Sequence, residues 1–155
     1  MSKKLAVIRE ALRNAEVKQA TQLQIALAAD ARAMTLCVAC AGFSGVLLAL
    51  IGSGTVGPVI PVAMSAVSFF LASAVAAYAA RPIGFSCPGQ DFSDFEGDIS
   101  EDRSLTEVLV ELGRHLDEDA RENEWRSKRN ANALMCAMSL AAAAPFIGLL
   151  AAVIG

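Results

Sequence analysis

The chain has 155 residues, 55% of them apolar, with thirteen bases against sixteen acids and a formal net charge of −3. That length suits one domain, and bases mixed with a larger number of acids argue against a nucleic-acid surface. The apolar residues are also too unevenly placed for an ordinary water-soluble core, because no charge falls within residues 33–80 or 130–155.

In chain order, residues 3–31 contain no Gly or Pro and read as an amphipathic helix. Leu5, Ile8, Leu12 and Ala15 follow helical spacing, with Leu23 and Leu27 sharing a face further on. The helix is expected to run directly into a first span, residues 33–52, the alternative being that it lies on the membrane surface. About 20 apolar residues at 1.5 Å rise cross a bilayer core of about 30 Å. A short neutral hairpin around 52–57 then leads to a second span, 58–80. "RP" at 81–82 stops that helix, and residues 81–103 form a loop carrying six acids. "SLTE" at 104–107 is a capping box that opens a second soluble helix over 104–131. Its apolar stripe is Val108, Leu109, Leu112, Leu116 and Ala120. With no strong breaker before Pro145, it is expected to continue into a third span, 132–154, and to kink at the proline. The expected fold is therefore all-α: a single membrane domain, 1–155, with three transmembrane helices and a helical stalk formed by extensions of the first and third spans.

Charge sets the expected orientation. Arg32, Arg81, Arg126, Lys128 and Arg129 flank the spans on the stalk side, and neither the hairpin nor the last residues, to Gly155, carry a base. The positive-inside rule then places the N-terminus and stalk in the cytoplasm and the C-terminus in the periplasm. The first span begins too far into the chain for a cleaved signal peptide.

Candidate chemistry is sparse. Asp91, Asp94, Glu96, Asp98, Glu101 and Asp102 suggest calcium, but setting Gly97 at position 6 of a calcium loop puts Phe92 at position 1, and the ligand pattern fails. Phe92 and Phe95 read instead as anchors pinning the acidic loop to the stalk. The "CVAC" of Cys37 and Cys40 lies inside a membrane helix with no second ligand pair, and Cys136 lies in the third span at similar depth. Cys87 falls in the loop, and His115 is the only histidine, near Arg114 and Asp117. No catalytic, cofactor-binding or metal residues are assigned. The spans lack ionisable side chains, which proton- and ion-coupled transporters commonly carry. They hold small residues four apart: Cys37/Ala41/Gly45, Ala72/Ala76/Ala80 and Ala144/Gly148/Ala152. Such faces let helices approach closely, within one chain or between copies. Ser65 and Ser68 share a face of the second span and either line a polar path in an oligomer or bond back to helix carbonyls.

The stretches "QLQIALAADARAMTLCVACAG", "AARPIGFSCPGQDFSDFEGDIS" and "RENEWRSKRNANAL" give most of the chain a layout that resembles small, uncharacterised three-pass bacterial inner-membrane proteins. The resemblance implies a fold and a location, and it carries no activity and no site residues. In plan alone the chain is also similar to small multi-span effectors of bacterial anti-phage systems. The expected function is a non-enzymatic accessory or scaffold subunit acting through helix association. The alternative is an oligomeric membrane-perturbing effector or small pore. The expected partners are the lipid bilayer and either further copies of the chain or another membrane protein, with no nucleic acid and no cofactor.

Overall fold

The computed structural model describes residues 3–55, 59–82, 84–85 and 103–154. Over these residues the chain is all-α, with α1 (Lys3–Gly52), α2 (Val59–Ala79) and α3 (Leu105–Ile154), and no strand among the described residues. Two compact units result: Met1–Leu27 with Ile83–Ser127, and Ala28–Pro82 with Lys128–Gly155. The acidic segment with Phe92, Phe95, Cys87 and the failed calcium pattern lies outside the described residues.

Local chemistry accounts for the helix limits. α1 meets neither Gly nor Pro before Gly42. Past its last turn, Ser53 N–H donates to Ala49 O at 2.9 Å and Gly54 N–H to Ile51 O at 3.1 Å, with Gly54 at φ +67°. A side chain at that φ would be strained, so glycine is the residue that suits the turn. The Ser53 and Thr55 hydroxyls both donate to Leu50 O, at 2.9 and 3.3 Å. These bonds satisfy carbonyls that a helix end otherwise leaves open. At the other end of the hairpin's second helix, Ala80 N–H donates to Ala76 O, and the Arg81 guanidinium lies 3.9 Å from the centre of the Tyr78 ring. Pro82 follows.

The capping box forms as expected. Glu107 N–H donates to Ser104 Oγ at 3.4 Å, while Ser104 N–H and Ser104 Oγ donate to Glu107 Oε2 at 3.2 and 2.8 Å. These bonds hold the Glu107 carboxyl below its usual range. α3 continues through Pro145 as one helix to Ile154. Helices of 50 residues run about 75 Å, more than twice the ~30 Å of a bilayer core.

In the first unit, helix contacts run parallel. Gln19 on α1 meets Leu116 on α3, and Gln22 meets Ala120 one turn further along both helices. Ala26, Leu116 and Ala120 are buried there together with Gln19 and Asn123. Leu27, expected on the apolar face, is 60% exposed, and Ala26 beside it is the buried residue. The reason is spacing: the half-buried and buried α1 positions Leu5, Ile8, Leu12, Ala15, Gln19, Gln22 and Ala26 alternate three and four residues apart. That heptad rhythm keeps one seam facing a neighbouring helix.

The second unit is built from small side chains. Its buried residues are Ala33, Cys40, Ser44, Ala66, Ser68, Ala72, Ser73, Ala76, Ala79, Ala137 and Ala144, and Gly148. Large apolar side chains point outward: Val38, Phe43, Ile60, Phe70, Phe146 and Leu149 are each at least 60% exposed. Phe43 and Phe69 stack with ring centres 5.5 Å apart, joining α1 to α2. All three helices are long and apolar enough to cross a membrane, and only 11, 28 and 17% of their most apolar windows are buried. A soluble protein rarely exposes apolar surface on this scale, whereas membrane helices bring small residues together and leave large ones to lipid. The chain is thus an integral membrane protein by its sequence pattern and its packing.

One small-residue face differs from expectation. Ala41 and Gly45 are exposed, and a Cβ built on Gly45 would meet nothing within 4 Å. The buried face of α1 is Ala33, Cys40 and Ser44, with Cys37 half-buried at its side. A strict spacing of four turns away from a fixed neighbour by about 40° per step at 3.6 residues per turn. Steps alternating between three and four hold the face in place.

Candidate functional site

Polar side chains among the described residues form hydrogen bonds between helices. In the second unit the hydroxyls bridge helices at close range. Ser44 Oγ donates to Ala66 O at 3.0 Å, and Ser73 Oγ donates to Cys37 O at 3.0 Å while lying 3.4 Å from Cys37 Sγ. Both link α1 to α2 antiparallel. Ser65 Oγ donates to Ala144 O at 3.0 Å, and Asn130 Nδ2 donates to Ala79 O at 2.9 Å, linking α2 to α3. Asn130 therefore caps a last-turn carbonyl of α2, a group that a helix end otherwise leaves without an intrahelical partner.

Gly148 sets the closest approach. A Cβ there would lie 2.1 Å from Ser65 Oγ and 3.1 Å from Pro61 O. Glycine lets the α2 and α3 backbones meet, and that proximity allows the Ser65 hydroxyl to reach Ala144 O. Ala144 and Gly148 hold the expected third small-residue face, while Ala152 is exposed. On the second face Ala72 and Ala76 are completely buried, and Ala80 is half-buried.

The serines resolve differently from one another. Ser68 bonds back to Met64 O at 2.9 Å, one turn earlier on its own helix, as one of the two expected arrangements requires. Ser65 and Ser73 instead donate to carbonyls of neighbouring helices.

In the first unit two glutamines bridge the pair. Gln19 Nε2 donates to Leu116 O at 3.1 Å, and Gln22 Nε2 donates to Ala120 O at 3.3 Å. Each amide keeps a buried Oε1 without a donor among the described residues, and Asn130 Oδ1 in the second unit is the same. Polar residues at a coiled-coil seam specify register at the expense of stability. The apolar stripes read from the sequence leave out Gln19, Gln22, Asn123 and Asn130. Recurrence at seven finds three of them, through Gln19, Ala26, Ala33 and Cys40 on α1 and Leu116, Asn123, Asn130, Ala137 and Ala144 on α3, while Gln22 falls in the half-buried series Ile8, Ala15, Gln22 and Ala29.

The remaining candidates stay apart. His115 is exposed and lines an open polar groove with Lys4, Arg114 and Glu118. Cys37 is half-buried, Cys40 buried and Cys136 exposed, and all three are free thiols. Among the described residues no three of His, Cys, Asp and Glu gather where they could hold a metal ion. Outside the spans, burial raises the Asp30 carboxyl above its usual range. Comparison with family models, with curated proteins and with solved structures finds no match for this chain.

Proposed function

We propose that this membrane protein works without catalysis, as an accessory or scaffold subunit whose helices associate with one another and with a partner in a bacterial inner membrane. The observation that carries the reading is the distribution of side-chain size. Alanine, serine, cysteine and glycine fill the interior of the span-forming unit, while the large apolar residues face outward. Such a unit offers helix faces suited to close association. The basic residues near the span ends support a cytoplasmic N-terminus and stalk under the positive-inside rule, with a periplasmic C-terminus. The bacterial setting rests on the resemblance in layout alone.

A membrane-perturbing oligomer is the competing reading. The serines that would line its path donate their hydroxyl protons to carbonyls instead, which favours packing over conduction. The deciding experiment is the mass of the intact complex, extracted gently from its native membrane, together with membrane potential on overproduction. A defined complex with a different membrane protein and an unchanged potential is the expected result. A closed ring of identical chains that collapses the potential would replace the scaffold with a pore.

A further inference from the structure

The span-forming unit carries a groove between α1 and α3 that its own packing leaves open. Leu36, Ala39, Leu134 and Met138 give it apolar walls, and Arg32 stands at one end, in a space of about 620 Å³. Arg32 is exposed and makes no ion pair among the described residues. The neighbouring Thr35 hydroxyl donates to Ala31 O at 2.9 Å, so the guanidinium is the available charged donor at that end.

Arg32 is the one base that lines the groove, and charge in the unit as a whole is mostly positive. The unit, residues 28–82 and 128–155, holds the bases Arg32, Arg81, Lys128 and Arg129 and a single acid, Asp30. All four bases fall just outside the charge-free runs of their helices. Asp30 lies two residues from Arg32, about 200° around a helix of 3.6 residues per turn, and it does not line the groove. Arg81 is engaged over the Tyr78 ring.

An apolar channel beginning where charge ends, with a guanidinium at its mouth, matches an amphiphile with a negative head. We propose that this groove is a binding site for one anionic phospholipid, its phosphate on Arg32 and an acyl chain lying along Leu36, Ala39, Leu134 and Met138. Basic pockets between membrane helices bind anionic head groups in this way, and guanidinium pairs well with phosphate oxygens. A bound lipid would also cover an α1–α3 seam that protein side chains leave open. The inference rests on the membrane-span reading but not on the scaffold role.

The test is native mass spectrometry of the full chain in mild detergent, titrated separately with phosphatidylglycerol and phosphatidylcholine of identical chains. The expected result is one tightly held phosphatidylglycerol, preferred over phosphatidylcholine. Arg32→Gln should weaken phosphatidylglycerol about five-fold, the effect of one base near a charged head group, and leave phosphatidylcholine unchanged. Ala39→Trp should block both lipids while helix content by circular dichroism stays at the parent level. If Ala39→Trp fails to fold, Met138→Trp tests the same wall from α3. Equal binding of the two lipids by the parent chain, or an unchanged preference in Arg32→Gln, overturns the proposal. So does a second copy seated on the groove, seen as a lipid-free dimer cross-linked through Ala39→Cys. A chain that stays soluble without detergent would instead overturn the membrane reading itself.

Discussion

The two units bury different side chains. In the first, α1 and α3 pair in parallel through Leu116 and Ala120, with Gln19 and Asn123 buried among them. In the second, side chains no larger than cysteine make up the buried positions, and phenylalanine, leucine and valine face outward. Water explains the first arrangement, since burying apolar surface stabilises a pair of helices there. In lipid the gain from burying a leucine disappears, because lipid tails are as apolar as the side chain. Close contact and hydrogen bonding between helices then favour small residues inside. The same two helices, α1 and α3, bury Gln19, Leu116 and Asn123 in the first unit and only small side chains in the second.

The largest effect is expected at Gly148. Gly148→Leu should destabilise the span-forming unit by about 3 kcal/mol, the upper part of the usual cost of overpacking, because its side chain meets Ser65 Oγ and Pro61 O. Thermal denaturation in detergent would measure the loss, and an unchanged midpoint would mean that α2 and α3 do not pack there. The first unit should respond in the opposite sense. Gln19→Leu removes a buried Oε1 that lacks a donor among the described residues, so the helical pair should gain about 1 kcal/mol while losing a register contact. Urea unfolding followed by circular dichroism, with cysteine cross-linking to read register, tests both halves of that statement.

Smaller effects sharpen the account at its edges. Ser104→Ala should cost about 1 kcal/mol by removing the N-cap of α3, read as earlier loss of helix on heating. Glu107 adds a pH dependence at the same cap. Its folded pKa lies below the ordinary value of 4.5, so its contribution is complete above that value and is lost as pH falls through the lowered one. Removal of the cap should therefore matter less in acid, and an equal deficit at neutral and strongly acidic pH would contradict the hydrogen bonds described. Gly45→Ala should be the mildest, a gain of about 0.5 kcal/mol from helix propensity, because nothing lies within 4 Å of its new Cβ.

Much of the fold was legible in the sequence because its signals are local. The charge-free runs of α1, α2 and α3, Pro82 after the second helix, and the Ser104–Glu107 box each act within a few residues. The faces were harder to read. Cys37/Ala41/Gly45 satisfies a spacing of four as well as Ala72/Ala76/Ala80 does, and only the neighbouring helix decides which positions turn inward. The buried amides were missed for a related reason: Gln19, Gln22 and Asn130 resemble surface residues until the carbonyls of Leu116, Ala120 and Ala79 come beside them. The groove at Arg32 depends on residues about a hundred positions apart, and no local pattern reports it.

The most direct test of the central claim, three membrane crossings, is labelling in sealed vesicles with a membrane-impermeant maleimide. Single cysteines would replace Lys3, Thr55 and Arg103 in a background lacking Cys37, Cys40, Cys87 and Cys136. Positions 3 and 103 should react from one side of the membrane and position 55 from the other only. Labelling of all three from the same side would contradict the three crossings.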